Sequence, residues 1–185
     1  MKEKLLKALP EFLWIKEETL RQACVNTYAD ALTSAGWAVE DMEKIPFTLL
    51  IPNCPASYLV HVRAVTRMCH VIYNEFVAMY QGLDAPVLDY DVLIAGALLH
   101  DVGKLVEYTK TSDGKYVKSA MGQDLRHPFS GTVIAMRNGI SSRIAHTIAN
   151  HAKEGDGTLR TPEAVIINKA DILNFEAIKS HRGMA

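Results

Sequence analysis

The chain has 185 residues, 49% of them apolar, and its 20 Lys and Arg nearly balance 21 Asp and Glu. That length suits one domain with a sizeable core, and the composition excludes a disordered chain. The even charge provides no bulk attraction to nucleic acid or a membrane surface, and no apolar run approaches the ~18 residues that a membrane span needs.

The N-terminal stretch "MKEKLLKALPEFLWIKEE" lacks the long apolar segment and small-residue cleavage site of a secretory signal. Cys24, Cys54 and Cys69 are odd in number, widely spaced and form no CxxC pair, so they read as plain thiols in a reducing cytoplasm. The first ~36 residues read as helical, with Gly36 as a natural stop. "KIPFTLLIPNCPAS", with its prolines, is a connector. A long amphipathic helix is expected from about Ser57 to Gln81, stopped by Gly82. A second should run from about Asp89 to Asp101, ended by Gly103. Asp113-Gly114 between two β-type stretches signals a hairpin. Three more helices should follow at roughly 122–138, 141–153 and 161–180, separated by Gly139, the "EGDG" stretch and Thr161-Pro162. The expected fold is an all-α bundle with a small β-hairpin inserted after a His-Asp pair. It should be a single domain over 1–185, with an N-terminal helical extension over about 1–50 and a core over about 57–175.

The segment "LIAGALLHDVGKL" ends an apolar run in His100, Asp101 and, three residues on, Lys104. A helix turns ~100° per residue, so spacing converts to direction. His61 shares the apolar stripe of Val65, Met68, Ile72 and Phe76, whereas His70 points the other way. Leu93, Gly96, Ala97 and His100 share a face whose small residues allow another helix to come close. His127 lies below Gly131 and Ile134, His151 on the face of Ile144 and Ile148, and Asp171 on the stripe of Ala164, Ile167, Asn174 and Ile178. Cys69, near the inward stripe of the long helix, reads as a buried structural thiol. His70, His146 and His181 read as solvated or helix-end residues.

Taken singly, an inward His is usually a hydrogen-bonded core residue, and an inward Asp is usually a cap or half of an ion pair. Six of them together each need a partner, because unpaired burial costs several kcal/mol. One or two divalent cations would satisfy all six at once.

The order His61, His100-Asp101, His127, His151, Asp171, with the phrase "LLHDVGK" and a later "KADIL", resembles the HD superfamily of metal-dependent phosphohydrolases over about residues 57–175. The resemblance implies a helical bundle with metal at its centre. In the minimal branch, residues matching His61, His100, Asp101 and Asp171 bind one metal. The six-ligand branch, which this sequence is similar to, adds residues matching His127 and His151 and binds two. Cyclic-dinucleotide phosphodiesterases of the superfamily have adjacent histidines where this chain has His151-Ala152, and a Gly-Tyr-Pro signature that is absent here. The compact mononuclear nucleotidases carry acidic residues where this chain has histidines.

An N/O ligand set suits Fe, Mn, Co, Ni or Zn better than Mg or Ca, and the lack of cysteine ligands argues against a structural zinc site. Asp101 can bridge two ions, which would sit roughly 3.5–4 Å apart and activate a water against a phosphoryl group. The resemblance supplies Lys104 as a catalytic and phosphate-holding residue beside Asp101. Arg126, Lys118 and Lys153 are candidate substrate-binding residues at the entrance. The expected partner is a small anionic phosphate-containing substrate, nucleotides first among them. No membrane partner is expected, and a homodimer through the N-terminal helices fits the sequence. The leading activity is phosphate monoester or diester hydrolysis. The alternatives are a mixed-valent di-iron oxygenase cleaving a C–P or C–C bond, which the same ligands also serve, and a non-catalytic signalling module. The N-terminal ~50 residues carry no motif, and capping the bundle or binding a partner are both open to them.

Overall fold

The computed structural model describes residues 1–184. Among the described residues, nine α-helices run in chain order. They are α1 (Lys2–Ala8), α2 (Glu18–Ala35), α3 (Tyr58–Tyr80), α4 (Tyr90–Leu99), α5 (Lys104–Glu107), α6 (Ala120–Asp124), α7 (His127–Arg137), α8 (Ser142–Asn150) and α9 (Pro162–His181). Short 3₁₀ turns lie at Pro10–Trp14, Val39–Glu43 and Lys153–Gly155. Strands β1 (Tyr108–Lys110) and β2 (Tyr116–Lys118) form one antiparallel hairpin, with Thr109 opposite Val117. The fold is all-α with the expected β insertion.

Local chemistry sets most boundaries. Ser57, Asp89 and Thr161 cap α3, α4 and α9 by accepting from backbone N–H groups three residues on. Gly36 follows α2 in the left-handed region at φ 73°, where its N–H returns to the carbonyls of Leu32 and Thr33. Every residue of α4 from Val92 to Leu99 is buried, which makes α4 the axis of the bundle. It packs on α3, α8 and α9. Gly96 lets α8 and α9 approach, since a Cβ there would lie 2.3 Å from Thr147 Oγ1 and 2.8 Å from Ile167 Cδ1.

The N-terminal segment contributes to this core. Leu5, Leu9, Phe12 and Ile15 are fully buried in the same cluster as Leu98, Leu99 and Ile148. Tyr28 of α2 donates its hydroxyl to Leu98 O at 2.7 Å and accepts from the Tyr58 hydroxyl at 3.1 Å.

Three boundaries differ from the sequence reading. The helix expected over 89–101 ends at Leu99, and the chain tightens into three-residue turns, with Val102 N–H on Leu99 O and Lys104 N–H on Asp101 O. Gly103 does not end that helix by adopting a left-handed conformation, since its φ is −65°. It serves close packing, because a Cβ there would lie 2.1 Å from His127 O and 2.7 Å from Gly131 N. The helix expected over 122–138 is two helices broken at Leu125–Arg126. Pro128 has no N–H and its ring would clash with the carbonyl four residues back, so one helix cannot run through it. The helix expected over 141–153 stops at Asn150, and His151 follows it as the cap residue.

Gly103→Ala should destabilise the fold by about 1–3 kcal/mol or more, because backbone atoms cannot give way as a flexible side chain can. At about 2–4 °C per kcal/mol for a chain of this size, a thermal melt should show a clear drop. An unchanged melting temperature would contradict this α5–α7 contact.

Candidate metal centre

Six side chains meet where α3, α4, α7, α8 and α9 converge. His61 lies in the first turn of α3, and His100 and Asp101 follow the end of α4. His127 opens α7, His151 ends α8, and Asp171 sits in mid-α9. Helix ends place a ligand at the centre of a bundle without running the helix through it.

The ligand atoms fall into two groups, His61, His100, Asp101 and Asp171 in one and Asp101, His127 and His151 in the other, each with its atoms within 4.8 Å of one another. Asp101 belongs to both. Its Oδ2 is 3.3 Å from His61 Nε2 and 3.4 Å from His100 Nε2, and its Oδ1 is 3.3 Å from His127 Nε2 and 3.5 Å from His151 Nε2. Asp171 Oδ1 lies 3.0 Å from His61 Nε2.

Proton bookkeeping tests whether these groups suit a cation. His100 Nδ1 meets Ala97 O at 2.7 Å and His151 Nδ1 meets Ile148 O at 2.7 Å. A carbonyl only accepts, so each ring carries its proton on Nδ1 and turns a bare Nε2 inward. His127 is fixed the same way by the Glu107 carboxylate, 2.7 Å from its Nδ1. Hence His127 Nε2 and His151 Nε2, 3.3 Å apart, face each other and Asp101 Oδ1 as three acceptors without a donor. Asp101 Oδ1 is a buried oxygen with no hydrogen-bond partner among the described residues. Such a pocket of inward lone pairs is strongly unfavourable alone and fits a divalent cation, which would take up all three.

Charge follows the same pattern. Burial pushes the Asp101 carboxyl up, yet the Lys104 ammonium 2.7 Å away holds it well below the usual carboxylate range. Asp171 is lowered too, the His61 ring outweighing its burial. Burial lowers His61, but Asp101 and Asp171 raise it overall. His127 is pushed down to about 4 by burial, against the pull of Glu107.

Lys104 was expected just past a helix end, facing substrate. It is instead the first residue of α5, buried, with Nζ 2.7 Å from Asp101 Oδ2 and 2.8 Å from Phe47 O. Burial would lower its pKa, but Asp101 raises it. Its ammonium holds the shared carboxylate and ties down the 47–56 loop. His70 lies outside the ligand groups as expected, but it is half-buried rather than solvated. Its ring packs 4.8 Å from the Trp14 ring, and its Nδ1 is 2.9 Å from Tyr90 Oη. Cys69 is buried, and burial raises its thiol to about 12. His146 pairs with Asn150, and His181 is exposed at the end of α9.

A cavity of about 280 Å³ opens beside the ligand groups. Asp171, His127 and Lys104 line its inner end, Phe47, Leu49, Tyr108, Ile172 and Phe175 its walls, and Lys118, Arg126, Lys153 and Asp156 its outer part. All three candidate entrance cations therefore reach it. Arg126 is already paired, with Glu107 at 3.1 Å and Glu154 at 3.0 Å. Sequence reasoning missed Glu107 and the Phe47 loop. A lone carboxylate inside "LVEY" was the available signal for Glu107; nothing in "PFTLLIP" pointed to the site.

A helical bundle with six inward His and Asp side chains defines a class of folds built around a candidate metal centre. The family model for the HD domain matches residues 58–175, and the chain belongs to that family, the superfamily of metal-dependent phosphohydrolases. Comparison with curated proteins and with solved structures found no match. Among the described residues, no helix is long and apolar enough to cross a membrane.

A divalent transition metal at 100 times its Kd should raise stability by about 2.7 kcal/mol per site, read as a rise in melting temperature that chelator reverses. Asp101→Ala, which removes a ligand from both groups, should abolish the rise, His100→Ala should remove the part due to its own group, and His70→Ala should retain all of it. In chelator, His127 also confers a pH dependence. Its folded value of about 4 lies below the ordinary 6.5, so its contribution is complete above pH 6.5 and lost as pH falls toward 4. The raised His61 acts in the opposite sense, its contribution complete below pH 6.5 and lost as pH rises. Melts of wild type and His127→Gln from pH 7 to 4 should converge on the acid side.

Proposed function

We propose that this chain is a metal-dependent phosphohydrolase that cleaves a small phosphate monoester or diester, with nucleoside monophosphates the largest substrates it takes. The observation that carries the reading is a buried carboxylate, Asp101, shared by two ligand groups whose members His127 and Asp171 line a cavity that also carries Lys118, Arg126 and Lys153.

Divalent transition metals held by His61, His100, Asp101 and Asp171, and by Asp101, His127 and His151, would supply a water of lowered pKa and charge neutralisation for the phosphoryl group. The remaining work belongs to the chain. Lys104 donates to Asp101 Oδ2 and so leaves Oδ1 turned toward His127 and His151. Lys104 acts on the reaction by orienting Asp101 and by adding positive charge at the inner end of the cavity. Phe47, Tyr108 and Phe175 exclude bulk water, which strengthens every charge interaction within.

The outer cations set the substrate class. Lys153 makes no ion pair among the described residues, and Lys118 only a long one to Glu107 at 3.8 Å. These two ammoniums are available to an anionic group distant from the reacting phosphate. The cavity of about 280 Å³ sits just under the roughly 300–1,000 Å³ of pockets for drug-sized ligands. A mononucleotide or smaller phosphoester fits that size, and a dinucleotide exceeds it.

The test is phosphate release from metal-loaded protein on a panel of nucleoside monophosphates, sugar phosphates and small diesters, with Mn, Fe, Co, Ni and Zn in turn. Turnover on small members, lost in Asp101→Ala, supports the reading. Lys153→Ala and Lys118→Ala should each raise KM several-fold at nearly unchanged kcat. Metal-loaded protein that releases no phosphate from any member overturns it. Dioxygen uptake by the iron-loaded form would replace it with C–P or C–C bond oxidation.

A further inference from the structure

Of the four inward histidines, His127 alone has a charged partner on its outer nitrogen, Nδ1. His100 and His151 each donate to a backbone carbonyl, and His61 Nδ1 is buried without a partner. His127 is held twice by one oxygen. Glu107 Oε2 lies 2.7 Å from its Nδ1 and 3.0 Å from its backbone N. The other oxygen, Oε1, faces Arg126 at 3.1 Å and Lys118 at 3.8 Å.

The placement of Glu107 is itself strongly determined. It ends α5, and its carbonyl accepts from Ser119 N at 2.8 Å, so it forms the root of the β-hairpin. Gly122 packs against it so closely that a Cβ there would lie 2.2 Å from Glu107 O. Its side chain is 1% exposed. A carboxylate buried there needs compensation, and His127, Arg126 and Lys118 provide it. Burial would raise its pKa, but the His127 ring and the Arg126 guanidinium lower it overall.

We infer that Glu107 is the positioning residue of the second ligand group, Asp101, His127 and His151, and that the hairpin insertion exists in part to place it. A carboxylate on the far nitrogen of a ligating imidazole fixes its tautomer and ring direction and makes the near nitrogen a stronger donor. The first group, built on His61 and His100, has no such partner. The two groups therefore differ in how they are supported, and loss of Glu107 should affect one of them. Arg126 becomes a strut between Glu107 and Glu154 in addition to lining the cavity.

This rests on the two-group reading of the metal centre, and the experiment separates the two. Metal content and binding isotherms with Mn or Co, measured without substrate, are compared for wild type and Glu107→Gln. Glutamine can still accept from His127 but carries no charge and turns its amide N–H toward Arg126. The expected result is two ions in wild type, with the affinity of one falling about 10–100-fold in E107Q and that of the other unchanged. Equal affinities for both ions in wild type and E107Q overturn the inference. So does equal weakening of both sites, which is the mark of a general structural role. A wild type that binds a single ion overturns the two-group reading and this inference with it. If E107Q does not fold, Glu107→Asp, which retains the charge but withdraws it by one methylene, carries the same test, with a smaller loss confined to one ion.

Discussion

The Asp101 carboxylate lies at the contact of two ligand groups, one oxygen toward His61 and His100 and the other toward His127 and His151. A fully buried carboxylate is expensive, and here its charge is retained because the Lys104 ammonium sits 2.7 Å away. Every other feature of the centre serves to bring those groups to this one side chain. Helix α4 runs through the middle of the bundle to deliver it, and five helices end or pass beside it. The glycines at 96 and 103 permit neighbours to come near enough.

Rigidity around the centre comes from the backbone. His100 and His151 are oriented by carbonyls three residues behind them, at the ends of α4 and α8. Those carbonyls are among the ones a helix end leaves without an intrahelical partner, so each ligand ring meets the local need of its own helix. Asn168 fastens His151 in turn by donating to its backbone carbonyl at 2.7 Å. The N-terminal elements add support from the opposite side. The Tyr58–Tyr28–Leu98 hydroxyl chain connects α3, α2 and the last turn of α4 immediately before the His-Asp pair. Glu11, buried at the 3₁₀ turn, pairs with Arg63 two residues past His61. The first fifty residues thus carry no ligand yet brace the two segments that carry three of them.

Helix phase made the ligand positions legible. His61 and His70 lie on one helix and differ only in direction, and the period of the apolar residues assigned one inward and the other away. The same period on α9 placed Asp171 inward. Phase was a weaker guide to surroundings. His70 is sheltered by Trp14 and Tyr90, which belong to other segments, so nothing within α3 announced its partners. Periodicity also merged α6 with α7, because the apolar pattern continues across Leu125 and only the proline ring interrupts it.

By itself, the sequence determined which residue types could bind, on which face of each helix they lay, and that six ionisable groups were bound for an interior that demands partners. Those facts are local, decided by the helical repeat and the cost of burying charge. Only the tertiary structure decided that Asp101 is shared, that Lys104 is used up in holding it, and that Glu107 stands behind His127. Each of these is a contact between segments, or a choice among rotamers and partners that neighbouring segments impose. Lys104 and Asp101 lie three residues apart in the chain. The sequence could place them near each other, but only the closing of the Phe47 loop, which offers its carbonyl on the other side, turns that lysine inward.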